Sequence, residues 1–200
     1  ATALNNVMHS DNAYYSEVEG FSYDPEKSKE LLTQAGYPDG FSTTIISTNA
    51  ANDTAIATLL QAQLAKIGIE VECISMESAA MLKETAPGGT YDIMISGYSG
   101  YAYGPDSALR TFWHSSGPLN YTNNNDPYVD EMLDKAVAEK DENARKEMYA
   151  ELEQYLTSKA AFVPLAIELY NMGMKKDVEG VVPPYGAIVD LRNVYIPIYE

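Results

Sequence analysis

The sequence predicts an α/β protein, and three observations carry that prediction. Helical and strand-like segments alternate through the first half of the 200-residue chain, an order typical of parallel strands joined by right-handed crossovers. Residues 91–97 form an apolar run with too few polar side chains for either face to meet water, as in buried parallel strands. Asp-Pro pairs at 24–25 and 126–127 mark helix starts, because Asp caps an N-terminus and Pro fits the first helical position.

The first half of the chain is predicted to contain three helix–strand pairs after an irregular stretch, 1–23. In order, they are a helix over 24–35 stopped by Gly36, a strand over 41–48, a helix capped by Asp53 and ended by Gly68, a strand over 69–75, a helix over 78–85 and a strand over 91–97. Apolar stripes at helical spacing are expected to face the sheet: Ser28, Leu31, Leu32 and Ala35, then Ile56, Leu60, Leu64 and Ile67.

The second half is predicted to be more helical. Helices are expected over 105–114, from Asp126 onward and over 141–159, followed by a strand over 162–171 and an irregular segment over 176–200. The expected inward residues are Val129, Met132, Leu133, Ala136 and Val137 in the second of these helices, and Ala144, Met148, Leu152, Tyr155 and Leu156 in the third.

Composition limits the partners that the chain can have. The formal net charge is −16, from 29 acidic and 13 basic residues. Such a chain repels phosphate backbones and anionic lipid, so the sequence predicts no nucleic-acid binding. The single cysteine, Cys73, lies in an alternating apolar run and is expected to be a small buried side chain.

The segment 91–107 is the strongest candidate for a functional surface. It begins as a buried strand and continues as a loop of Gly, Ser and Tyr at the carboxyl end of that strand, where open α/β sheets bind ligands. Phenols offer flat apolar area with a polar tip, and glycines let backbone amides approach a ligand. The candidate contacts in this loop are Tyr98, Ser99, Tyr101 and Tyr103. Nothing in the pattern is typical of a catalytic centre.

A set of short motifs follows one order along residues 21–196. They are YDPEKSKELLTQAGYPDGF (23–41), LQAQLAKIGI (60–69), YDIMISG (91–97) with PD (105–106), NY (120–121) with NDPYVD (125–130), VPL (163–165) and VEGV (178–181). Each motif is short, but the combination resembles the family-5 extracellular solute-binding proteins, which are the peptide- and nickel-type receptors of ABC transporters.

This resemblance implies a periplasmic-binding-protein-like lobe of type II, with a mixed sheet flanked by helices. Residues 1–200 are then expected to form the single C-terminal lobe of a two-lobe protein. In it, 1–23 is an irregular lead-in, 24–175 the α/β core and 176–200 an irregular return segment. The missing N-terminal lobe, a signal peptide and any lipid-anchored cysteine are expected elsewhere in the full-length protein.

The function that the resemblance implies is that of the substrate-binding component of an ABC importer. Two lobes close on a small solute, most simply an oligopeptide-like one, and the closed form is presented to the permease subunits. The protein is expected to be extracytoplasmic, either periplasmic or anchored by lipid at the cell surface. No enzymatic activity and no cofactor are expected. A receptor for a nickel chelate or another non-peptide solute is the alternative within this class.

The resemblance also draws attention to a departure at Tyr101. Peptide-binding members carry an Asp early in this loop, which pairs with the α-ammonium group of the ligand, and alignment on Pro105-Asp106 places Tyr101 there. A phenol supplies no negative charge, and a buried ammonium group without a counter-charge is costly. A free-amine peptide then requires Asp106 or an acid of the other lobe. Alternatively, Asp106 caps the following helix.

Four residues that follow this loop are further candidates. Trp113 is interpreted as either core or cleft wall, and Asn120 and Tyr121 as cleft contacts. His114 is a candidate metal ligand, because nickel-binding members place a His nearby and imidazole suits nickel. One His does not make a metal site, so no metal site is predicted.

Two other classes of function are kept as alternatives. An acidic hydrolase needs paired carboxylates, and Asp92 and Asp106 are the available pair, although they flank opposite ends of the predicted strand. A scaffold lobe that binds only partner proteins is the other class, and the lack of a concave face around residues 98–103 is what that class predicts.

Overall fold

The computed structural model describes residues 2–4, 6–8, 10, 12–86, 88–97, 104–167, 172–182 and 190–197. Within these residues the elements in chain order are β1 (Thr2–Ala3), α1 (Pro25–Gln34), β2 (Ser42–Thr48), α2 (Ala51–Ala65), β3 (Glu70–Met76), α3 (Ser78–Glu84), β4 (Ile93–Met94), α4 (Pro105–Trp113), α5 (Pro127–Ala138), α6 (Glu142–Lys159) and β5 (Ala166–Ile167). They separate into two compact units. The helical unit comprises 1–20, 98–111 and 127–200, and the sheet unit comprises 21–97 and 112–126.

The sheet unit is built on parallel strands in the order β3-β2-β4. β2 pairs with β3 along its whole length, from Ser42 opposite Glu70 to Thr48 opposite Met76. Its pairing with β4 is confined to Ile93 and Met94, so the strand predicted over 91–97 is shorter than expected. Beyond it, the amide of Ile95 still donates to the carbonyl of Ile46 (2.9 Å). Parallel strands and flanking helices confirm the predicted α/β class.

The core of the sheet unit lies between the sheet and α2. Ile45, Ala57, Ile69, Val71 and Ile95 are its buried members. The predicted stripe of α2 packs against them, which confirms its inward face: Ile56, Leu60, Leu64 and Ile67. The prediction for α1 was wrong in part, because only Leu32 of its stripe contacts this core, whereas Leu31 is 53% exposed.

Helix α1 begins where the capping rule places it, but α2 does not. The Asp24 side chain accepts a hydrogen bond from the amide of Lys27 (2.9 Å). The prediction that Asp53 caps α2 was wrong, because that helix begins at Ala51. Asp53 therefore lies in the first turn, where a carboxylate suits the helix dipole, and it accepts a hydrogen bond from the hydroxyl of Thr48 (2.5 Å).

The turns before β2 and β3 approach each other closely at two glycines, one in each turn. Gly40 has φ +78°, and a Cβ built on it would lie 1.9 Å from the carbonyl oxygen of Gly68. Gly68 has φ +86°. Gly40 therefore requires a residue without a side chain, whereas at Gly68 the left-handed conformation favours glycine and a Cβ would be crowded, 3.3 Å from the carbonyl oxygen of Asp39.

The helical unit packs α5 against α6. In α5, Val129, Leu133 and Ala136 are buried, as predicted, whereas Val137 is 55% exposed. The buried residues of α6 recur at helical spacing and include two polar side chains: Tyr149, Leu152, Glu153, Leu156 and Thr157. The expected inward face of α6 was therefore wrong in part, because a search for apolar residues passes over Glu153 and Thr157.

The described residues between Asn6 and Glu19, called the strap below, lie along α6 within the helical unit. Met8 is fully buried, and the ring of Tyr14 meets that of Tyr149 edge-on, with centroids 5.5 Å apart. Ser16 donates from Oγ to Glu153 Oε2 (2.8 Å). Just before the strap, β1 pairs antiparallel with β5, so the expectation of a wholly irregular lead-in was wrong.

The prediction that Cys73 is buried was wrong. Its side chain is exposed on β3, the outer strand of the sheet in the described part of the chain. Cys73 lies on the same face of β3 as the buried Val71, and its Sγ is 3.7 Å from the carbonyl oxygen of Ala57 in α2, but at this position of an outer strand the helix does not cover it. Across the same described residues, no helix combines the length and hydrophobicity needed to cross a membrane.

Candidate functional site

The structure describes only the two ends of the Gly/Tyr loop that follows β4, residues 95–97 and 104–107. Tyr98, Ser99, Tyr101 and Tyr103 lie outside the described residues, so their roles stay predictions. The chain leaves the sheet after Ile95 at the edge where the parallel strands have their carboxyl ends. That edge is where open α/β sheets bind ligands.

Asp106 lies in the first turn of α4 and is paired with a cation. α4 begins at Pro105, so Asp106 is inside the helix and does not occupy the capping position predicted for it. Arg110, one turn later, donates from Nε to both carboxylate oxygens of Asp106 (3.1 Å each). Its Nη1 donates to Asp134 Oδ1 (2.9 Å). Because Arg110 neutralises it, Asp106 is poorly suited to hold a second positive charge.

Arg110 was not among the residues singled out from the sequence. Its spacing of four from Asp106 was the available signal, since side chains at i and i+4 are neighbours on a helix. Asp134, in contrast, is remote in sequence, and its contact with Arg110 follows from the packing of the helical unit. The Nη2 atom of Arg110 is buried and has no hydrogen-bond partner among the described residues.

Trp113 and Asn120 are interior residues of the sheet unit. Trp113 is 3% exposed, and Asn124 donates from Nδ2 to its carbonyl oxygen (2.5 Å). Asn120 is 4% exposed; its Oδ1 accepts from the amide of Asn124 (2.8 Å), and its Nδ2 donates to the carbonyl of Asn124 (2.8 Å). Both polar atoms of the Asn120 side chain are hydrogen-bonded within the 120–124 turn. This geometry gives Asn120 a structural role.

Tyr121 belongs to the same turn and is half-buried. The hydroxyl of Tyr91 donates to its backbone carbonyl, and burial raises the pKa of Tyr91 above its usual value, with a smaller contribution from Tyr121. Asn123, with φ 51°, accepts at Oδ1 from the amide of Gly88 (2.6 Å). The turn is thus fixed to the segment that precedes β4, which holds the partly exposed Tyr121 ring in place.

His114 makes a local contact that occupies one ring nitrogen. Its Nδ1 accepts from the amide of Ser116 (3.1 Å) and lies 2.7 Å from the Ser116 hydroxyl. No group of three or more His, Cys, Asp or Glu residues that could hold a metal occurs in the part of the chain that the structure describes. The metal alternative at His114 therefore gains no support from the described geometry.

An open depression of about 410 Å³ lies at the opposite, amino edge of the sheet. Its lining comes from the starts of the strands and is mostly polar: Ser42, Thr43, Thr44, Glu70, Val71, Glu72 and Asp92. The Asp92 carboxylate accepts from the Thr44 amide (2.9 Å) and from the hydroxyls of Thr44 (2.9 Å) and Thr43 (3.1 Å). These bonds, led by the Thr44 amide, lower the pKa of Asp92.

A protein-family model for bacterial extracellular solute-binding proteins, family 5, middle part, matches residues 1–120. This match covers more than half of the 200 residues. The chain belongs to family 5 of the bacterial extracellular solute-binding proteins. The resemblance inferred from the motif order is thereby confirmed.

The chain is similar to curated proteins that are named for different ligands. The chain is 31% identical over 182 residues to heme-binding protein A of Haemophilus influenzae, which covers 87% of this chain and 33% of the relative. It is 28% identical to the glutathione-binding protein GsiB of Salmonella choleraesuis, over 95% of this chain and 39% of the relative. The chain thus spans only about a third to two fifths of the length of these relatives.

Solved structures of family-5 relatives agree with the fold. The periplasmic binding protein DppA from Helicobacter pylori, in complex with the peptide STSA, is similar with a TM-score of 0.76 and 32% identity, covering 82% of this chain and 33% of that one. HbpA2 from Haemophilus parasuis is similar with a TM-score of 0.83 and 25% identity, covering 98% and 40%. DppA is named as a periplasmic binding protein, and the periplasmic-binding-protein fold is confirmed.

Proposed function

We propose that this chain is the C-terminal lobe of the substrate-binding component of an ABC importer. The full-length protein closes two lobes on a small solute and presents the closed form to permease subunits outside the cytoplasm. The family match over residues 1–120 is the observation that carries this proposal. The greater length of the relatives supports it, because the remaining length can supply the second lobe.

The solute that we propose is oligopeptide-like. Support comes from the similarity to DppA in complex with a peptide and to a glutathione-binding protein. The heme-binding relative favours the alternative, a non-peptide solute, for which a nickel chelate is one case. In both cases the predicted contacts are the phenols of the 98–103 loop and the ring of Tyr121.

The proposed ligand site does not rely on a carboxylate of this chain to hold an α-ammonium group. Tyr101 stands where resembling peptide receptors carry an acid, and Asp106 is already paired with Arg110. A peptide whose amino group is blocked is therefore expected to bind as well as the free peptide. The charge on the ligand's N-terminus is therefore not expected to discriminate between solutes.

Native mass spectrometry of the full-length protein, purified without denaturation, tests the general proposal by identifying a co-purified solute. Calorimetry with matched free-amine and N-acetylated peptides then tests the ligand class. We expect the two affinities to agree within about threefold, because no counter-charge is lost. The Tyr101→Asp variant is expected to favour the free amine by about tenfold or more, and Tyr101→Phe is its neutral control.

Different outcomes contradict different parts of the proposal. If neither a co-purified solute nor binding of any peptide is found, the receptor function is wrong. If acetylation of the wild-type ligand costs more than about tenfold in affinity, the function stands and an acid outside this chain, such as one of the other lobe, holds the α-ammonium group.

The acidic-hydrolase alternative gains no support from the described acids. A general acid needs a pKa raised toward neutrality, whereas the pKa of Asp92 is lowered. Both carboxylate oxygens of Asp106 are already hydrogen-bonded by Arg110.

A further inference from the structure

Glu153 is a fully buried acid on the face of α6 that carries the strap. Ser16 donates to its Oε2, whereas its Oε1 has no hydrogen-bond partner among the described residues. Thr157, four residues later and so on the same face, also has a buried hydroxyl without a partner in that part of the chain. A buried carboxylate needs several donors to offset the loss of water, and at Glu153 only Oε2 is hydrogen-bonded by a described residue.

Groups close to Glu153 also bond to one another. Asn6 donates from Nδ2 to the carbonyl of Ser16 (2.5 Å), and the amide of Met8 donates to Asn6 Oδ1 (3.0 Å). Asn6 and the amides of Ser16 and Met8 lie near enough to the carboxyl to lower its pKa, but Oε1 still has no hydrogen-bond partner among the described residues. The strap is held to α6 by the bond between Ser16 and Glu153, by contacts of Tyr14 with Arg145 and of the Glu19 amide with Gln154, and by apolar burial.

Charged side chains on the neighbouring described elements are exposed or make other contacts. Glu131 pairs with Lys135, Asp134 pairs with Arg110, Arg145 and Lys146 lie over the ring of Tyr14, and Glu17 and Glu19 are exposed. His9 lies outside the described residues. Desolvation accordingly dominates at Glu153 and raises its pKa to about 7, against smaller lowering effects of the Ser16 and Asn6 side chains and the amides of Ser16 and Met8.

We propose that the carboxyl group of Glu153 is a pH-sensitive fastener, which in its neutral form holds the strap against α6 and on ionisation lets it detach. Once the strap detaches, water reaches the carboxylate, so the ionised form is better accommodated in the open state. This inference does not depend on the identity of the solute or on the receptor function.

The sign of the pH effect follows from the two ionisation constants. With the strap attached, the carboxyl has a pKa of about 7, and in water it has its ordinary value of 4.5. Attachment is therefore strongest below about pH 4.5, weakens about tenfold for each pH unit up to about pH 7, and changes no further above that.

Hydrogen exchange of the full-length protein, followed by mass spectrometry of peptides that cover residues 6–19, measures this attachment. Rates are divided by those of a free peptide of the same sequence, which removes the intrinsic pH dependence. We expect the protection of these amides to fall by about fortyfold between pH 5 and pH 7 and to level off above. In Glu153→Gln, which stays neutral, protection is expected to be independent of pH.

Two controls separate this effect from other titrations. Glu147→Gln removes an exposed acid of the same helix, and His9→Gln removes the histidine of this segment; both are expected to retain the wild-type pH profile. The proposal is wrong if wild-type protection is flat with pH, or if Glu153→Gln keeps the wild-type profile. Carboxyl-¹³C titration of the wild-type protein gives an answer without any variant: a midpoint near 7 for Glu153 supports the fastener, and one near 4.5 rules it out.

Discussion

Arg110 and Asp106 form a paired charge in the first turns of α4: Nε of Arg110 lies 3.1 Å from each carboxylate oxygen of Asp106. The same guanidinium reaches Asp134 through Nη1. One cation thus serves two acids in a chain whose formal net charge is −16. Removing the cation leaves both acids without compensation, which makes Arg110 a more sensitive position than either acid alone.

Arg110→Gln is expected to lower the free energy of unfolding by about 1–2 kcal/mol, because the part-buried Asp106 and the exposed Asp134 both lose their hydrogen bonds to the guanidinium. Urea denaturation measures the change. Lys135→Gln is the matched control, since its ion pair with Glu131 is exposed and is expected to contribute less than about 0.5 kcal/mol. Equal effects of the two substitutions contradict the role given to Arg110.

Asn120→Ala is expected to destabilise the protein by about 2 kcal/mol, because it removes the side-chain bonds to both backbone groups of Asn124 inside a buried turn. Asn125→Ala, at an exposed position of the same Asn run, is expected to change stability by less than about 0.5 kcal/mol. Thermal unfolding of both variants checks the difference. A loss of solute affinity in Asn120→Ala with no loss of stability is the result that assigns Asn120 to the ligand instead of the turn.

Gly40→Ala is expected to cost about 3 kcal/mol or more, because the new Cβ meets the Gly68 carbonyl as well as an unfavourable φ. Gly36→Ala separates the two causes. Its φ is +91°, but a Cβ there meets nothing within 4 Å, so only the conformational cost of about 1 kcal/mol is expected. Denaturation midpoints within error of each other show that the glycine crossing tolerates a side chain.

Asp92→Asn is expected to lower the melting temperature at pH 7, because an amide accepts less strongly than a carboxylate from the Thr43 and Thr44 donors. The pKa of Asp92 is lowered in the folded protein, so its stabilisation is present above the usual value of 3.8 and is lost as the pH falls through the folded value. The difference between wild type and variant is therefore expected to shrink on acidification. Asp39→Asn, at an exposed position without a side-chain hydrogen bond among those described, is the control, and a difference that grows toward low pH contradicts the assignment.

Local signals in the sequence predicted the starts of several helices and the two long strands. Asp24 caps α1 as its spacing from Lys27 requires, because capping depends on three or four consecutive residues. Asp53 failed by the same rule, since the alternative partner Thr48 lies in the preceding strand and α2 begins earlier. Whether Asp53 caps the helix or accepts from Thr48 depends on where β2 ends. The spacing of residues within the helix carries no information about that.

The lengths of strands and the polar members of buried faces were beyond the sequence pattern. Residues 91–97 are mostly apolar, yet pairing with β2 stops after Met94, and ladder length depends on the partner strand. Glu153 was overlooked because the predicted buried face of α6 was drawn from apolar residues alone. In the candidate site, the family motif led to Asp106, and its spacing of four from Arg110 was a local signal, but the contact of Arg110 with Asp134 required the three-dimensional packing.

Exposed acidic side chains on β3, the outer strand of the sheet in the described residues, disfavour edge-to-edge pairing with a second chain. Glu70 and Glu72 are exposed on it, so a second chain approaching this edge meets like charge before it can add a strand. Acid that protonates these carboxylates removes the repulsion while leaving the strand's backbone groups free to pair. Storage and crystallisation near the sequence pI of about 4.4 thus carry a self-association risk that neutral buffers avoid.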